Sequence, residues 1–412
     1  MLIRKAFKYQ LKVTQEQSAM LLDMSRANKF AWNKALAMQS GRLERHEQKD
    51  RKLLSYNELA YLLKLWKQSE EWFFLNQAPS QTLQQTLKDL DRAIRDAFNP
   101  KQPLKKYPVF KKKHEIKSFR FPQNVKVNCN EVYIPKIGWV RFRNSRKLEG
   151  ELKNMTISEK CGKWYVSIQT EIEINPIIKA DCMESVGIDL GVAKTVTLSN
   201  GLVFQGAKSF KKYRDKLAKV QRRLAKKEKF SNNWKKQKHK ISKLHKKIAD
   251  CRYDRNHWIS SKITSDFLEI YLDNLDIHNM TQSAKGTKEA PGKMVKQKSG
   301  LNREILDQGW FELNRQLEYK AHWKGKFVQR VQSRFTSQLC SSCGHKDKEN
   351  RENQATFLCK SCGHHENADL NAAKNILAAG LAVNACGGKS LDFPLKQEPL
   401  AANQLSLGIS FL

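Results

Sequence analysis

Long apolar runs are missing from this chain. No stretch of the 412 residues approaches the roughly 20 consecutive apolar positions that span a bilayer, which speaks against a transmembrane protein. The opening MLIRKAFKYQ lacks the apolar core of a secretory signal, so a cytoplasmic location is expected. Acids are scarce too: 41 Asp+Glu stand against 76 Lys+Arg, a formal net charge of +35. An excess of that size implies a polyanion partner, because each bound phosphate releases condensed counterions. With membranes set aside, the polyanion is nucleic acid. Five of the nine cysteines (Cys129, Cys161, Cys182, Cys251, Cys386) are scattered and odd in number, as in a reducing compartment. The length suffices for two or three domains, each with its own core.

The other four cysteines are ordered. Cys340/Cys343 and Cys359/Cys362 form two Cys-x-x-Cys pairs separated by fifteen residues, a spacing that fits a four-thiolate zinc ribbon. A glycine follows each pair, Gly344 or Gly363, and lets the chain bend beneath its sulfurs. Four ordinary buried cysteines would not share this spacing and the matching Cys-Gly-His endings. Seven residues past the last cysteine, Asp369 opens DLNAAKNI. There Leu370, Ala373 and Ile376 recur at helical spacing and place the acid in a first helical turn. Taken alone, capping preference explains such an acid equally well.

Residues 2–13 alternate loosely as a strand. Thr14 with Gln17, and Ser55 with Glu58, form capping boxes that open helices. Ser80 reads as the cap of a helix whose Leu83, Leu87, Leu90, Ile94 and Phe98 make one core stripe, ended by Asn99-Pro100. From Lys101 the composition shifts. Lys105, Lys106, Lys111, Lys112, Lys113, Lys117 and Arg120 interleave with Tyr107, Phe110, Phe119 and Phe121. The pattern fits a basic loop over a core, or a surface whose rings stack bases while its cations hold phosphates. Short strands over 125–127, 132–134, 139–143, 155–158 and 164–170 follow. With the first strand they read as a small β-barrel into which the helical block is inserted.

A new domain is expected to begin near Asp181. Asp189 ends the apolar strand SVGID beside a glycine turn, and two further strands joined by Ser199-Asn200-Gly201 complete a meander. RNase H-like nucleases begin in this way. Between Lys208 and Lys247 lie eighteen Lys or Arg against Asp215 and Glu228, with narrow apolar stripes that read as a basic helical hairpin around Ser231-Asn232-Asn233. Repulsion at this density calls for a polyanion laid along it. Asp273 lies near the end of a buried strand over 267–275. Residues 281–300 read as an aperiodic, mobile lid. Leu306, Trp310, Leu313, Leu317 and Ala321 form one helical face ending at Gly325, and 327–331 is a further strand. The tail beyond Gly387-Gly388 is weakly patterned and expected to be partly disordered.

These segments, in this order, resemble the TnpB family, the OrfB proteins of small insertion sequences and ancestors of the type V CRISPR effectors. The resemblance covers essentially the whole chain. It rests on RKAFKYQL, PVFKKK, IPKIGWVRFR, GIDLGVAKTVTLSNG, SGLNREILDQGWFELNRQLEYKAHWKG, TSQLCSSCGH and ADLNAAKNI. The fold it implies is α+β and multidomain. A wedge-type β-barrel (1–14 and 101–180) holds an inserted helical recognition domain (15–100). An RNase H-like (RuvC) nuclease domain (181–335 and 367–390), a zinc ribbon (336–366) and a tail (391–412) complete the chain.

The activity implied is RNA-guided cleavage of double-stranded DNA beside a short flanking motif. It brings a guide RNA derived from the transposon end, catalytic Mg²⁺, and structural Zn²⁺ on Cys340, Cys343, Cys359 and Cys362. Carried across position by position, Asp189 matches the first RuvC carboxylate and Asp369 the third. The second is normally a glutamate; Asp273 stands in its place. In two-metal hydrolysis Asp189 bridges both ions, while Asp273 and Asp369 hold one each. The shorter side chain withdraws the carboxylate by about one carbon–carbon bond, and a misplacement on the order of 1 Å can cost roughly 10²-fold in rate. Glu269, two pleats back along the strand, is a poor substitute. Three readings stay open: a monomeric RNA-guided endonuclease, a nuclease-impaired RNA-guided DNA-binding repressor, and a transposase that joins strands directly.

Overall fold

A computed structural model describes residues 1–44, 52–112, 117–174, 183–287, 289–332 and 335–385. They belong to two units, Met1–Ile174 and Asn175–Pro394, in a mixed α+β fold. The expected boundary near Asp181, Lys113, Cys182, Cys386 and the tail 391–412 lie outside the described residues.

The first unit runs through β1 (Leu2–Gln10), α1 (Gln15–Leu43), α2 (Tyr56–Gln68) and α3 (Ser80–Ala97). It continues with β2 (Ser118–Phe121), β3 (Val127–Asn128), β4 (Glu131–Ile134), β5 (Gly138–Arg141), β6 (Glu151–Lys160) and β7 (Lys163–Glu173). Both capping boxes form: Thr14 and Gln17 exchange bonds at the start of α1, Ser55 and Glu58 at the start of α2. Ser80 is not a cap. Pro79 holds that position, its carbonyl accepting from the Thr82 N–H, and the Ser80 hydroxyl accepts from Lys67 Nζ (2.9 Å) instead. Leu83, Leu87, Leu90 and Ile94 are buried as expected. Phe98 falls past the last turn and stays exposed, its ring 6.0 Å from that of Tyr107 in an edge-on arrangement.

The sheet order is β1-β7-β6-β2, antiparallel throughout. Along β7 the alternate residues Trp164, Val166, Ile168 and Thr170 face inward, as a pleat of period two dictates. The turn from β6 uses Cys161 and Gly162, both left-handed (φ 55° and 78°), which matches the twist of a tight hairpin. The expected barrel does not close among the described residues. β1 and β2 are sheet edges, β3-β4-β5 is a separate sheet, residues 143–150 add no ladder, and a bridge from Leu11 to Phe142 is the link. Phe119 and Phe121 are core residues on β2. Of the four rings in the basic segment, Phe110 is exposed and Tyr107 is half-buried against the first core.

The second unit begins with β8 (Met183–Asp189), β9 (Val196–Leu198), β10 (Val203–Phe204), α4 (Ser209–Ala225), α5 (Asn232–Asp266) and β11 (Phe267–Asp273). Then come α6 (Ile277–Met280), α7 (Val295–Gln308), α8 (Trp310–Trp323), β12 (Phe327–Val331), β13 (Thr356–Leu358), β14 (His365–Asn367) and α9 (Ala368–Ala385). Five strands order as β10-β9-β8-β11-β12; the first three are antiparallel, and β8, β11 and β12 run parallel. Alternation sorts the two faces of this sheet. Val186, Ile188, Ile270 and Leu272 share one core with Ile263 of α5 and Leu317 of α8. On the opposite face Tyr271 and Val331 pack with Ile376 of α9. Gly187 is what lets α9 lie directly on β8: a Cβ there would sit 2.2 Å from the Ala373 carbonyl oxygen.

Two expectations for this unit are corrected. The aperiodic stretch ends earlier than residue 300, because α7 begins at Val295. The helical face expected from Leu306 onward is broken at Gly309 (φ 69°), so Leu306 is exposed while Trp310, Leu313, Leu317 and Ala321 are buried. The last turn of α7 is tethered on both sides. Asp307 is buried and accepts from the Ser209 hydroxyl and the Phe210 N–H, fixing the start of α4, while Gln308 accepts from the Thr195 hydroxyl (2.6 Å).

Candidate metal and carboxylate centre

The two Cys-x-x-Cys turns are built alike. The Gly344 N–H donates to the Cys340 carbonyl and the Gly363 N–H to that of Cys359, both at 3.0 Å, and both glycines are left-handed (φ 74° and 72°). The cysteine N–H then closes each turn onto the carbonyl of His345 or His364. The histidines of the repeated Cys-Gly-His thus serve through their backbone. All four sulfurs lie within 4.8 Å of one another, with 3.8 Å from Cys340 to Cys362 and 3.6 Å from Cys343 to Cys359. A tetrahedron with zinc–sulfur bonds of about 2.3 Å has edges of roughly 3.8 Å. The donor set therefore fits Zn²⁺ in distance and chemistry. The N–H groups of Cys362 and Ser361, aimed at Cys359, hold its thiol down to about 6, toward the thiolate that a metal requires.

The acids reach one another by register and docking. Ile188 pairs with Leu272 across the parallel strands β8 and β11. Asp189 and Asp273 follow one step further, at the carboxyl ends of strands about 4.8 Å apart. They share the face that carries Gly187 and Tyr271, the face covered by α9. Because α9 runs back along the sheet, with Gly380 against Tyr271 and Ala373 against Gly187, its amino end and Asp369 come toward Asp189. The Asn367 side chain caps that end by accepting from the Asp369 N–H (3.2 Å). The result shows in Asp189. Burial first, and then the charges of Asp369 and Asp273, push its carboxyl up to about 7, against a partial offset from Arg351 and the Leu190 N–H. The carboxyl ends of parallel strands are where open α/β sheets place their chemistry. Among the described residues, however, the cysteines are the one metal-type set of three or more ligand atoms within 4.8 Å; the acids are more loosely grouped.

Glu269 belongs elsewhere. Its Oε2 accepts from the Ser185 and Tyr271 hydroxyls, both at 2.8 Å, and Asn384 donates to Tyr271 (2.6 Å).

Several residues at this centre carried no signal in the spacing arguments. Arg351, from the ribbon, is the cation whose charge reaches Asp189. Asn371 is fully buried, accepting from the Ser341 N–H (2.9 Å) and donating to the Leu339 carbonyl (2.8 Å). Asn375, one turn on, donates to the carbonyls of Thr336 and Leu339. Buried Asn350 closes the ribbon on itself through Gln338, His345 and Lys360. Together they bolt the ribbon to the helix that carries Asp369. The trace in the sequence is a pair of asparagines four apart on a helix face otherwise apolar.

Residues 167–284 match the family described as "Probable transposase", residues 310–376 the "Cas12f1-like, TNB domain", and residues 1–48 a "Helix-turn-helix domain". In the structure the described part of 1–48 is β1 followed by the single long helix α1. The chain is 47% identical over 399 residues, 96% of its length and 97% of the relative's, to "Putative RNA-guided DNA endonuclease InsQ" of Escherichia coli (strain K12). It is 32% identical over 389 residues, 93% of its length and 91% of the relative's, to a "Putative RNA-guided DNA endonuclease" of Streptomyces pristinaespiralis. A solved chain titled "Structure of the mini-RNA-guided endonuclease CRISPR-Cas_phi3" aligns with a TM-score of 0.45 at 12% identity, covering 95% of this chain and 94% of that one.

Proposed function

The chain belongs to the TnpB family, and on that premise we propose that it is an RNA-guided DNA endonuclease with a RuvC-like site at Asp189, Asp273 and Asp369. One observation carries the reading: acids from β8, β11 and α9 converge, so that burial first, and then the charges of Asp369 and Asp273, raise the Asp189 carboxyl to about 7. A half-buried acid pushed that far beside two others is relieved by a divalent cation, and all-oxygen donors suit Mg²⁺. When bound, a pair of Mg²⁺ ions supplies activation of the attacking water and stabilisation of the leaving oxygen. Asp189, flanked by both neighbours, would bridge the pair, with Asp273 and Asp369 holding one ion each. Cys340, Cys343, Cys359 and Cys362 would hold a structural Zn²⁺.

The remaining assignments follow from that reading. Residues 15–100 form the recognition insert of a wedge domain made of 1–14 and 101–180; 181–335 with 367–390 is the nuclease domain, and 336–366 the ribbon. The net charge of +35 grips a guide RNA paired to its DNA target, and the protein works as a monomer in the cytoplasm. The test is cleavage. Protein carrying its co-purifying RNA, with Mg²⁺ and a matched duplex, cuts that duplex, and Asp189→Ala lowers the rate on the order of 10⁴-fold. A wild-type complex that binds the duplex but leaves it intact with Mg²⁺ and with Mn²⁺ overturns the nuclease. The short reach of Asp273 favours a second reading, a guide-directed repressor. That reading is upheld by guide-dependent binding without product, together with cutting gained by Asp273→Glu.

A further inference from the structure

The α4–α5 hairpin ends in a feature that packing does not explain. Its seam is narrow: Leu217, Ile241 and Ile248 are buried, with Val220, Leu224 and Leu244 beside them. That leaves the outer faces to the cations, and of the eighteen Lys and Arg between 208 and 247 all but Lys246 are exposed. At the tip stands Phe230, 69% exposed and left-handed (φ 68°). Its ring lies 5.5 Å from that of Trp234, and Lys238 Nζ lies 4.8 Å from the same indole. The turn does not need this ring. Ser231 fixes it alone, accepting from the Trp234 N–H (3.1 Å) and donating to the Glu228 carbonyl (2.9 Å). A hydrophobic staple across the helix start would bury the ring, and a left-handed site favours glycine or asparagine over a bulky side chain. The chain accepts backbone strain to hold an aromatic face in water among lysines.

We propose that the hairpin tip is a stacking site for an unpaired base of RNA, with Phe230 as the platform, Trp234 behind it, and the lysines of α4 and α5 following the adjoining phosphates. An aromatic face can engage only a base free of a duplex, and RNA offers such bases in the loops and ends that proteins read by stacking. Helix α4, seventeen residues long and thus about 25 Å at 1.5 Å per residue, is long enough to accompany several phosphates. This inference rests on the RNA-guided reading above, since it names where part of that RNA sits.

The test uses the full chain and three labelled probes of about 15 nucleotides: an unstructured single-stranded RNA, the same sequence as DNA, and a blunt RNA duplex, the lengths being matched to the site sizes of single-strand binders. Phe230→Gly relieves the backbone strain, so folding is preserved. It is expected to weaken single-stranded RNA binding roughly 5- to 150-fold, while Phe230→Trp retains it. The slope of log affinity against log salt stays unchanged in Phe230→Gly. It falls by about 0.7 per residue in Lys235→Gln or Lys236→Gln, as expected for lost phosphate contacts on a single strand. Ultraviolet cross-linking should place the nucleotide adduct on the tryptic peptide that begins at Phe230. Equal RNA affinity for wild type and Phe230→Gly overturns the proposal alone. So does an equal loss on the duplex, or equally tight, Phe230-dependent binding of the DNA strand. A wild type that binds no RNA at all overturns the RNA-guided reading as well.

Discussion

The sulfurs and the carboxylates of the second unit are assembled in opposite ways. Each sulfur pair is made by one local turn, and the four ligands span only Cys340 to Cys362. Their spacing already matches a metal's coordination sphere. The carboxylates come from positions 189, 273 and 369 and depend on strand register plus the seating of α9. Asp369 and Asp273 add to the cost of ionising Asp189, and the three converge less tightly than the sulfurs. Little apolar burial supports the ribbon, whose core consists of Cys340, Cys359, Phe357 and Ala368, so a metal held by the four sulfurs would supply folding energy. The acid site is the reverse case: a packed sheet and helix hold it together against its own electrostatics. Asn371 and Asn375 connect the two, so a fault in the ribbon is passed to Asp369.

Zinc removal tests this contrast most severely. Structural Zn²⁺ contributes apparent binding energies of about 10–16 kcal/mol in zinc-finger peptides, far more than a core of four side chains can offer. A chelator, or Cys359→Ser, is expected to abolish amide protection across residues 340–367 in hydrogen exchange and to stop DNA cleavage, while the β8–β11 core stays protected. Should the stripped chain keep its two turns protected, the ribbon is self-supporting and the contrast fails.

Asp273→Glu probes the looser centre. Lengthening the side chain by one methylene is expected to raise the cleavage rate by up to about 10²-fold, measured in single turnover with Mg²⁺. A fall in rate would mean that the backbone at the end of β11 already compensates for the short side chain. A smaller effect is expected at the bolt between the two centres. Asn371→Ala strands the Ser341 N–H and a Leu339 carbonyl lone pair in a buried setting, at about 1–3 kcal/mol. Its melting temperature and cleavage rate should both fall while one zinc per chain remains, as metal analysis can check.

Legibility in the sequence followed the range of the interaction. The two capping boxes and the paired cysteines are set within a few residues, and each is readable in place. The expectations for Phe98, Leu306 and the lid differ from the structure at helix ends: Phe98 lies just past α3, Leu306 precedes the left-handed Gly309, and α7 already begins at Val295. The barrel failed because no local pattern reports whether sheet edges meet. Among the site residues, Asp189, Asp273 and Asp369 came from motif order. Arg351 and the buried asparagines, which act only through the folded ribbon, left almost no trace.

The smallest expected effect bears most directly on the acid site. Burial and two acidic neighbours raise the Asp189 carboxyl to about 7, whereas in the unfolded chain it titrates near its ordinary value of about 3.9. Between those two values the folded protein holds a proton that the unfolded chain has lost, so stability falls as pH rises through the window. Above about 7 the full cost is present; below about 4 both states are protonated and it vanishes. Asp189→Asn removes the charge and with it the cost. In metal-free buffer the variant should match the wild type at the acid end and exceed it by on the order of 1–2 kcal/mol above neutrality, as read by chemical denaturation. Adding Mg²⁺ should close that gap by stabilising the wild type alone. A gap that ignored pH, or survived Mg²⁺ unchanged, would place the three acids too far apart to share an ion, and the contrast with the sulfurs would become one between a metal site and an ordinary sheet edge.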